Sequence, residues 1–91
     1  MSSSKNRVHG RQIAAARELL RLSQGDLAEA IGMLPQALAR IEADRVVPRE
    51  ATLSKIVAEL ERRGIEFING RGVMLKKPAL DSRSEHESAG E

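Results

Sequence analysis

The 91-residue chain carries 15 Lys and Arg against 13 Asp and Glu, a net charge of +2, with one aromatic residue and no cysteine. The length points to one small domain with a modest core, whose stability self-association is expected to supplement. The lack of cysteine excludes a disulfide framework and a thiolate metal site, and no apolar run approaches the roughly 20 residues that a membrane span requires.

The charge is unevenly spread. Residues 81–91 hold Asp81, Glu85, Glu87 and Glu91 against Arg83, whereas residues 1–80 hold 14 bases against 9 acids. A basic body suits an anionic partner. On charge alone, an ordinary solvated surface is the alternative.

Residues 1–8 are polar and serine-rich, with Lys5 and Arg7, and are expected to form a flexible arm. No apolar stretch follows these bases, so a secretory leader is not expected and a cytoplasmic protein is. Residues 10–22, GRQIAAARELLRL, are predicted to be helical. Ile13, Ala16 and Leu20 follow the i, i+3, i+7 rule, with Leu19 beside them. Arg17 falls within this apolar zone, where a guanidinium either finds a carboxylate or reaches out to solvent over its own helix.

Residues 23–42, SQGDLAEAIGMLPQALARIE, read as two short helices about a turn. Ser23 suits the N-cap, and Asp26 in the first turn complements the helix dipole. Leu27, Ala28 and Ile31 share a face. Gly32 ends the helix, because glycine takes a positive φ without a Cβ clash. Pro35 suits a first helical position, where no backbone donor is needed. Leu38 and Ile41 form the buried pair of this second helix, and Gln36, Ala37, Ala39 and Arg40 make its opposite face. Helix, glycine turn and helix with a polar, partly cationic outer face is the pattern whose second helix enters the major groove of duplex DNA.

Residues 43–48 form a predicted loop, with Arg45 in it and Arg49 just beyond. Residues 49–63 are the clearest helix: Leu53, Ile56, Val57 and Leu60 occupy i, i+3, i+4 and i+7. Glu59 is spaced to pair with Arg62 or Arg63, and Gly64 follows as a stop. Over residues 65–77 the period changes. Ile65 and Phe67 alternate with Glu66, Val73 and Leu75 alternate with Met74, and Asn69–Gly70 is a hairpin dipeptide. A short β-hairpin is predicted, its register open, with Phe67 packed on the first and last helices. Residues 78–91 are expected to be an unordered acidic tail.

His9 and His86 stand alone, no glycine-rich phosphate loop follows a strand, and no aromatic platform exists for stacking single-stranded bases. No enzyme activity, metal or cofactor is expected.

The ordered set Ala16–Arg17, Ser23–Gln24, Leu27–Ala28, Gly32, Arg40–Ile41–Glu42, Pro48, Leu53 and Ile56 resembles the lambda-repressor/Cro-like helix-turn-helix family, the xenobiotic-response-element type, over residues 10–64. The resemblance implies an all-α domain of four to five short helices, here followed by a small C-terminal β-hairpin. It implies a structural ion pair between Arg17 and Glu42. It places Gln24, Arg45, Arg49 and the helix N-termini at phosphates, and Pro35, Gln36, Ala37 and Arg40 at base edges. Three features depart from the family pattern: Leu34 where Ser or Thr is usual, Ala37 and Ala39 where Ser or Thr is frequent, and Asp44 where Gly or Asn is frequent.

The expected organisation is an arm at 1–8, a DNA-binding domain at 9–64, a hairpin at 65–77 and a tail at 78–91. The arm is a candidate for DNA phosphates or the minor groove. The expected function is sequence-specific regulation of transcription on duplex DNA, with repression favoured because so small a domain has no separate effector module. One recognition helix reads few base pairs, so an inverted-repeat operator and a homodimer are expected. Ile65, Phe67, Ile68, Val73, Met74 and Leu75 of the hairpin are the candidate dimer contacts. Leu34, Ala37 and Ala39 make the outer face unusually apolar. They leave a second reading open, a protein-interaction module such as an antitoxin or antiactivator on the same fold.

Overall fold

Four helices and one hairpin follow one another in the computed structural model, which describes residues 8–76: α1 Gly10–Leu19, α2 Gln24–Ile31, α3 Pro35–Glu42, α4 Glu50–Arg62, β1 Ile65–Ile68 and β2 Gly72–Leu75. Most of the expected N-terminal arm and all of the acidic tail lie outside the described residues. Ile13 and Ala16 of α1, Leu27 and Ala28 of α2, Leu38 and Ile41 of α3, Ile56 and Leu60 of α4 and Ile65 of β1 form one buried cluster. Each helix therefore spends its predicted apolar stripe on the same centre. Two residues stand apart from it: Leu19 is 43% exposed instead of joining Leu20 against the core, and Val57 of α4 is half-buried outside the cluster.

The helix ends also differ from expectation. The prediction ran the first helix to residue 22, but α1 stops at Leu19. Arg21 adopts φ 60°, and the Leu22 and Arg21 amides donate to the carbonyls of Arg17 and Glu18 at 3.0 and 2.9 Å. This double bond back onto the last turn satisfies carbonyls that the helix leaves open. α2 ends the same way, on Gly32 at φ 74°, with Met33 donating to Ala28. So does α3, on Asp44 at φ 60°, with Arg45 donating to Arg40. One closure recurs three times, and only once on the glycine that makes it cheap.

The hairpin is antiparallel, pairing Ile65 with Leu75, Glu66 with Met74, Phe67 with Val73 and Ile68 with Gly72. The connection is a three-residue turn, 69–71, in which Asn69 takes φ 52° and the Arg71 amide donates to Ile68. Strand alternation then sorts the side chains. Ile65 is buried, and Phe67, Val73 and Leu75 pack against the helical core. Glu66, Ile68 and Met74 face outward and are exposed.

Two polar contacts fix the hairpin and α1 in place, and neither was foreseen. The buried Gln12 accepts the His9 amide at 2.8 Å through Oε1 and donates Nε2 to the Gly72 carbonyl at 3.1 Å. One side chain thus closes the start of α1 and ties it to β2 across 60 residues of sequence. At the end of α4, Glu59 accepts from Arg62 at 2.6 Å and from Arg63 at 2.7 Å, the spacing predicted for it. Those arginines hold its carboxyl below the usual range, Arg62 foremost.

Candidate nucleic-acid interface

α2 and α3 form the helix-turn-helix. Ser23 Oγ accepts the Asp26 amide at 2.9 Å while Asp26 Oδ2 accepts the Ser23 amide at 3.0 Å, a reciprocal cap that starts α2. The Ser23 amide and hydroxyl hold the Asp26 carboxyl below its ordinary range. α3 starts differently. Its N-cap is Leu34, extended at φ −78° and ψ 143°, which gives no side-chain cap, and Pro35 occupies the first turn.

A helix turns about 100° per residue. Leu38, Ile41 and Glu42 are buried, so the opposite side of α3 carries Gln36 and Arg40, both exposed. Pro35 is exposed at the leading end and Ala37 is half-buried on the flank. The same spacing brings exposed Ala43 onto the line of Gln36 and Arg40. Ala43 was not singled out from the sequence, although its place seven residues after Gln36 was readable.

The orientation of α3 is set by its buried end. Arg17 Nε lies 2.9 Å from Glu42 Oε2 and Arg17 Nη2 lies 3.2 Å from Oε1, a two-pronged pair. The side chains are 12% and 5% exposed. Arg17 Nη1 also donates to the Leu22 carbonyl at 2.8 Å, just past the end of α1. The bond to Glu42 raises the Arg17 pKa against the opposing effect of burial. Gln24, expected at a phosphate, gives Nε2 to Glu42 Oε1 at 3.0 Å in the free protein. One carboxylate on α3 therefore gathers a residue from α1 and a residue from α2.

The far end of α3 is held by an unforeseen contact. Asp44 Oδ1 accepts the Gly10 amide at 3.0 Å, and the Arg11 guanidinium lies 4.0 Å from Oδ2. The Asp44 carboxylate thus sits at the start of α1, where a helix dipole favours it. Gly10 is where backbones meet: a Cβ there would stand 2.1 Å from the Ile41 carbonyl oxygen and 2.7 Å from that of Glu42.

Arg45 and Arg49 are exposed on either side of the loop between α3 and α4, with Val46 and the 92%-exposed Val47 between them. Among the described residues, no carboxylate lies within ion-pair distance of Arg40, Arg45 or Arg49. No helix of the described residues is long and apolar enough to cross a membrane.

A helix-turn-helix family model matches residues 13–67, more than half of the chain and a span that contains α2, α3 and α4. Comparison with curated proteins gives no match.

Proposed function

The chain belongs to the Cro/C1-type helix-turn-helix family, a family of DNA-binding regulators, and we propose that it represses transcription by occupying an inverted-repeat operator as a dimer. The observation that carries this reading is the outward stripe of α3. Gln36 and Arg40 stand exposed on a helix whose other side is fixed by the buried Arg17–Glu42 pair. Gln suits the N6 and N7 edge of adenine, Arg suits O6 and N7 of guanine, and Ala37 and Ala43 are small enough to approach a thymine methyl. Arg45 and Arg49, free of carboxylates among the described residues, supply phosphate contacts that set the register. Gln24 acts from behind, by holding Glu42.

Repression needs no more than occupancy of a promoter, which a chain of this size can supply. The hairpin supports the dimer through its outward face only. Ile65, Phe67, Val73 and Leu75 are engaged with their own core, which leaves Ile68 and Met74 as apolar groups available to a second copy. Sedimentation of the chain with Ile68→Glu and Met74→Glu together tests this. A dimer that becomes a monomer while keeping its fold supports the assignment, and an unchanged dimer places the contact elsewhere. Deleting the whole hairpin is a poorer test, because it removes the buried Ile65.

Arg40→Ala is expected to relax preference at one base position per half-site and to cost about 1–3 kcal/mol there. Binding to a panel of single-base operator variants checks this. Equal weakening on every sequence would make Arg40 a phosphate contact, and no effect would remove it from the interface. The broader reading is tested by retention on random duplex DNA, which should fall steeply with salt. Retention absent at every salt concentration would favour the protein-interaction reading, for which Leu34, Ala37 and Ala39 are the motive, Leu34 exposed and the two alanines half-buried.

A further inference from the structure

Leu34 is 68% exposed, lies outside the core cluster and makes no capping bond. An apolar side chain of this size at a helix N-cap contributes neither packing nor a hydrogen bond to the free protein. Its surroundings are equally short of polar groups. Pro35 has no amide hydrogen, Ala37 is half-buried, and the first turn of α3 has no acid. Apart from the Gln36 side chain and its backbone amide, the leading end of the helix is hydrocarbon.

We propose that Leu34 is a base-reading residue that seats against the 5-methyl group of one thymine in each half-site. The inference rests on the DNA-binding reading of α3. A recognition helix enters the major groove with its N-terminal residues against the base edges. Among the groups that base pairs display there, the thymine methyl is the apolar one. The Leu34 side chain has no atom with which to read any other group, and none with which to hold a phosphate. Its extended backbone carries the side chain off the tip of α3 before the helix begins, ahead of Gln36 and Arg40. Val47, though more exposed, sits between Arg45 and Arg49 in its loop, so on the phosphate role proposed for those arginines it would lie beside the DNA backbone rather than the bases. The methyl-reading role therefore falls to Leu34.

The test starts from duplexes selected out of a random pool by the full chain. Each thymine of the selected site is then replaced by deoxyuridine, which keeps the base-pairing edge and removes only the methyl. One replacement per half-site should lower affinity about fourfold, the effect of exposing one methyl-sized group. Leu34→Ala should bind the thymine and deoxyuridine forms equally well at that position while keeping the preferences set by Gln36 and Arg40. Leu34→Ser adds a hydroxyl cap to α3 and should also lose methyl dependence, which guards against a helix frayed by the alanine. Indifference of the parent chain to every replacement overturns the proposal. So does a fourfold effect that survives in both variants, which moves the methyl contact to another residue such as Ala37. If no duplex is retained at all, the DNA-binding reading and this inference fall together. If duplexes are retained without methyl dependence, only this inference falls.

Discussion

Arg17→Met should destabilise the fold by about 3–5 kcal/mol, the usual cost of leaving one partner of a buried ion pair alone. The geometry argues for that range. The Glu42 side chain is 5% exposed, and after the change its carboxylate keeps the hydrogen bond from the Gln24 amide but has no cation to balance its charge. The Leu22 carbonyl loses its Arg17 donor at the same time. Removing both charges is a different experiment. Arg17→Met with Glu42→Leu places two apolar side chains where the pair was, and much of the loss should return. A residue of the cost should persist, because Gln24 then has no acceptor and Leu22 no donor. Urea unfolding of the four proteins gives the coupling energy directly. Simple additivity would mean that the 2.9 Å contact does not hold α3 in solution. The functional corollary follows from where Glu42 sits, at the end of the helix that carries Gln36 and Arg40. Loosening it should also lower operator affinity of the fraction that remains folded.

The helix-turn-helix was legible because its signals are local. Ser23 caps, Gly32 turns, Pro35 starts, and the apolar spacing of Leu27, Ala28, Leu38 and Ile41 fixes which sides are buried. The end of α1 was not legible, because arginine is no sign of a left-handed backbone. Arg21 adopts φ 60° only since the closure onto Arg17 and Glu18 requires that conformation at its position. Leu19, the last residue of α1, falls on the helix flank and is exposed, while Leu20 packs against the core. Gln12 escaped notice for another reason. Its partners are a backbone amide three residues back and a carbonyl on β2, and a glutamine near a helix start reads as solvated surface. Gln24 stands between these cases. Its position was singled out for DNA, but its amide is given to Glu42, a contact that exists only once α2 and α3 have packed. On the outward face of α3 the spacing was sufficient: the exposure of Gln36 and Arg40 was readable from period alone, and that of Ala43 follows from extending the same line.

Gly10→Ala should destabilise the protein by about 1–3 kcal/mol, the usual range for overpacking, and local propensity predicts the opposite sign. A glycine in a helix is worth roughly 0.5–1 kcal/mol less than alanine, partly through the freedom it adds to the unfolded chain. Gly10 has no positive φ to excuse it. What requires glycine is contact. The added methyl would stand 2.1 Å from the Ile41 carbonyl oxygen, 2.7 Å from that of Glu42 and 2.8 Å from Asp44 Oδ1. Two of these atoms are backbone at the end of α3, so they cannot rotate aside as a side chain would. Either α1 retreats and breaks the Gly10–Asp44 bond, or the last turn of α3 opens. Gly25 provides the control. It lies near the start of α2, and its nearest neighbour to an added Cβ is Ser23 Oγ at 3.7 Å, an ordinary contact. Gly25→Ala should therefore be stabilising, by about 0.5–1 kcal/mol. Thermal or urea unfolding of the two alanine variants separates the effects, since propensity alone shifts both proteins upward. If Gly10→Ala is as stable as Gly25→Ala, the close approach of α1 to α3 does not exist in solution. If it is destabilised as expected, its folded fraction should also bind the operator more weakly than Gly25→Ala does, because the displaced atoms belong to the helix proposed to read the bases.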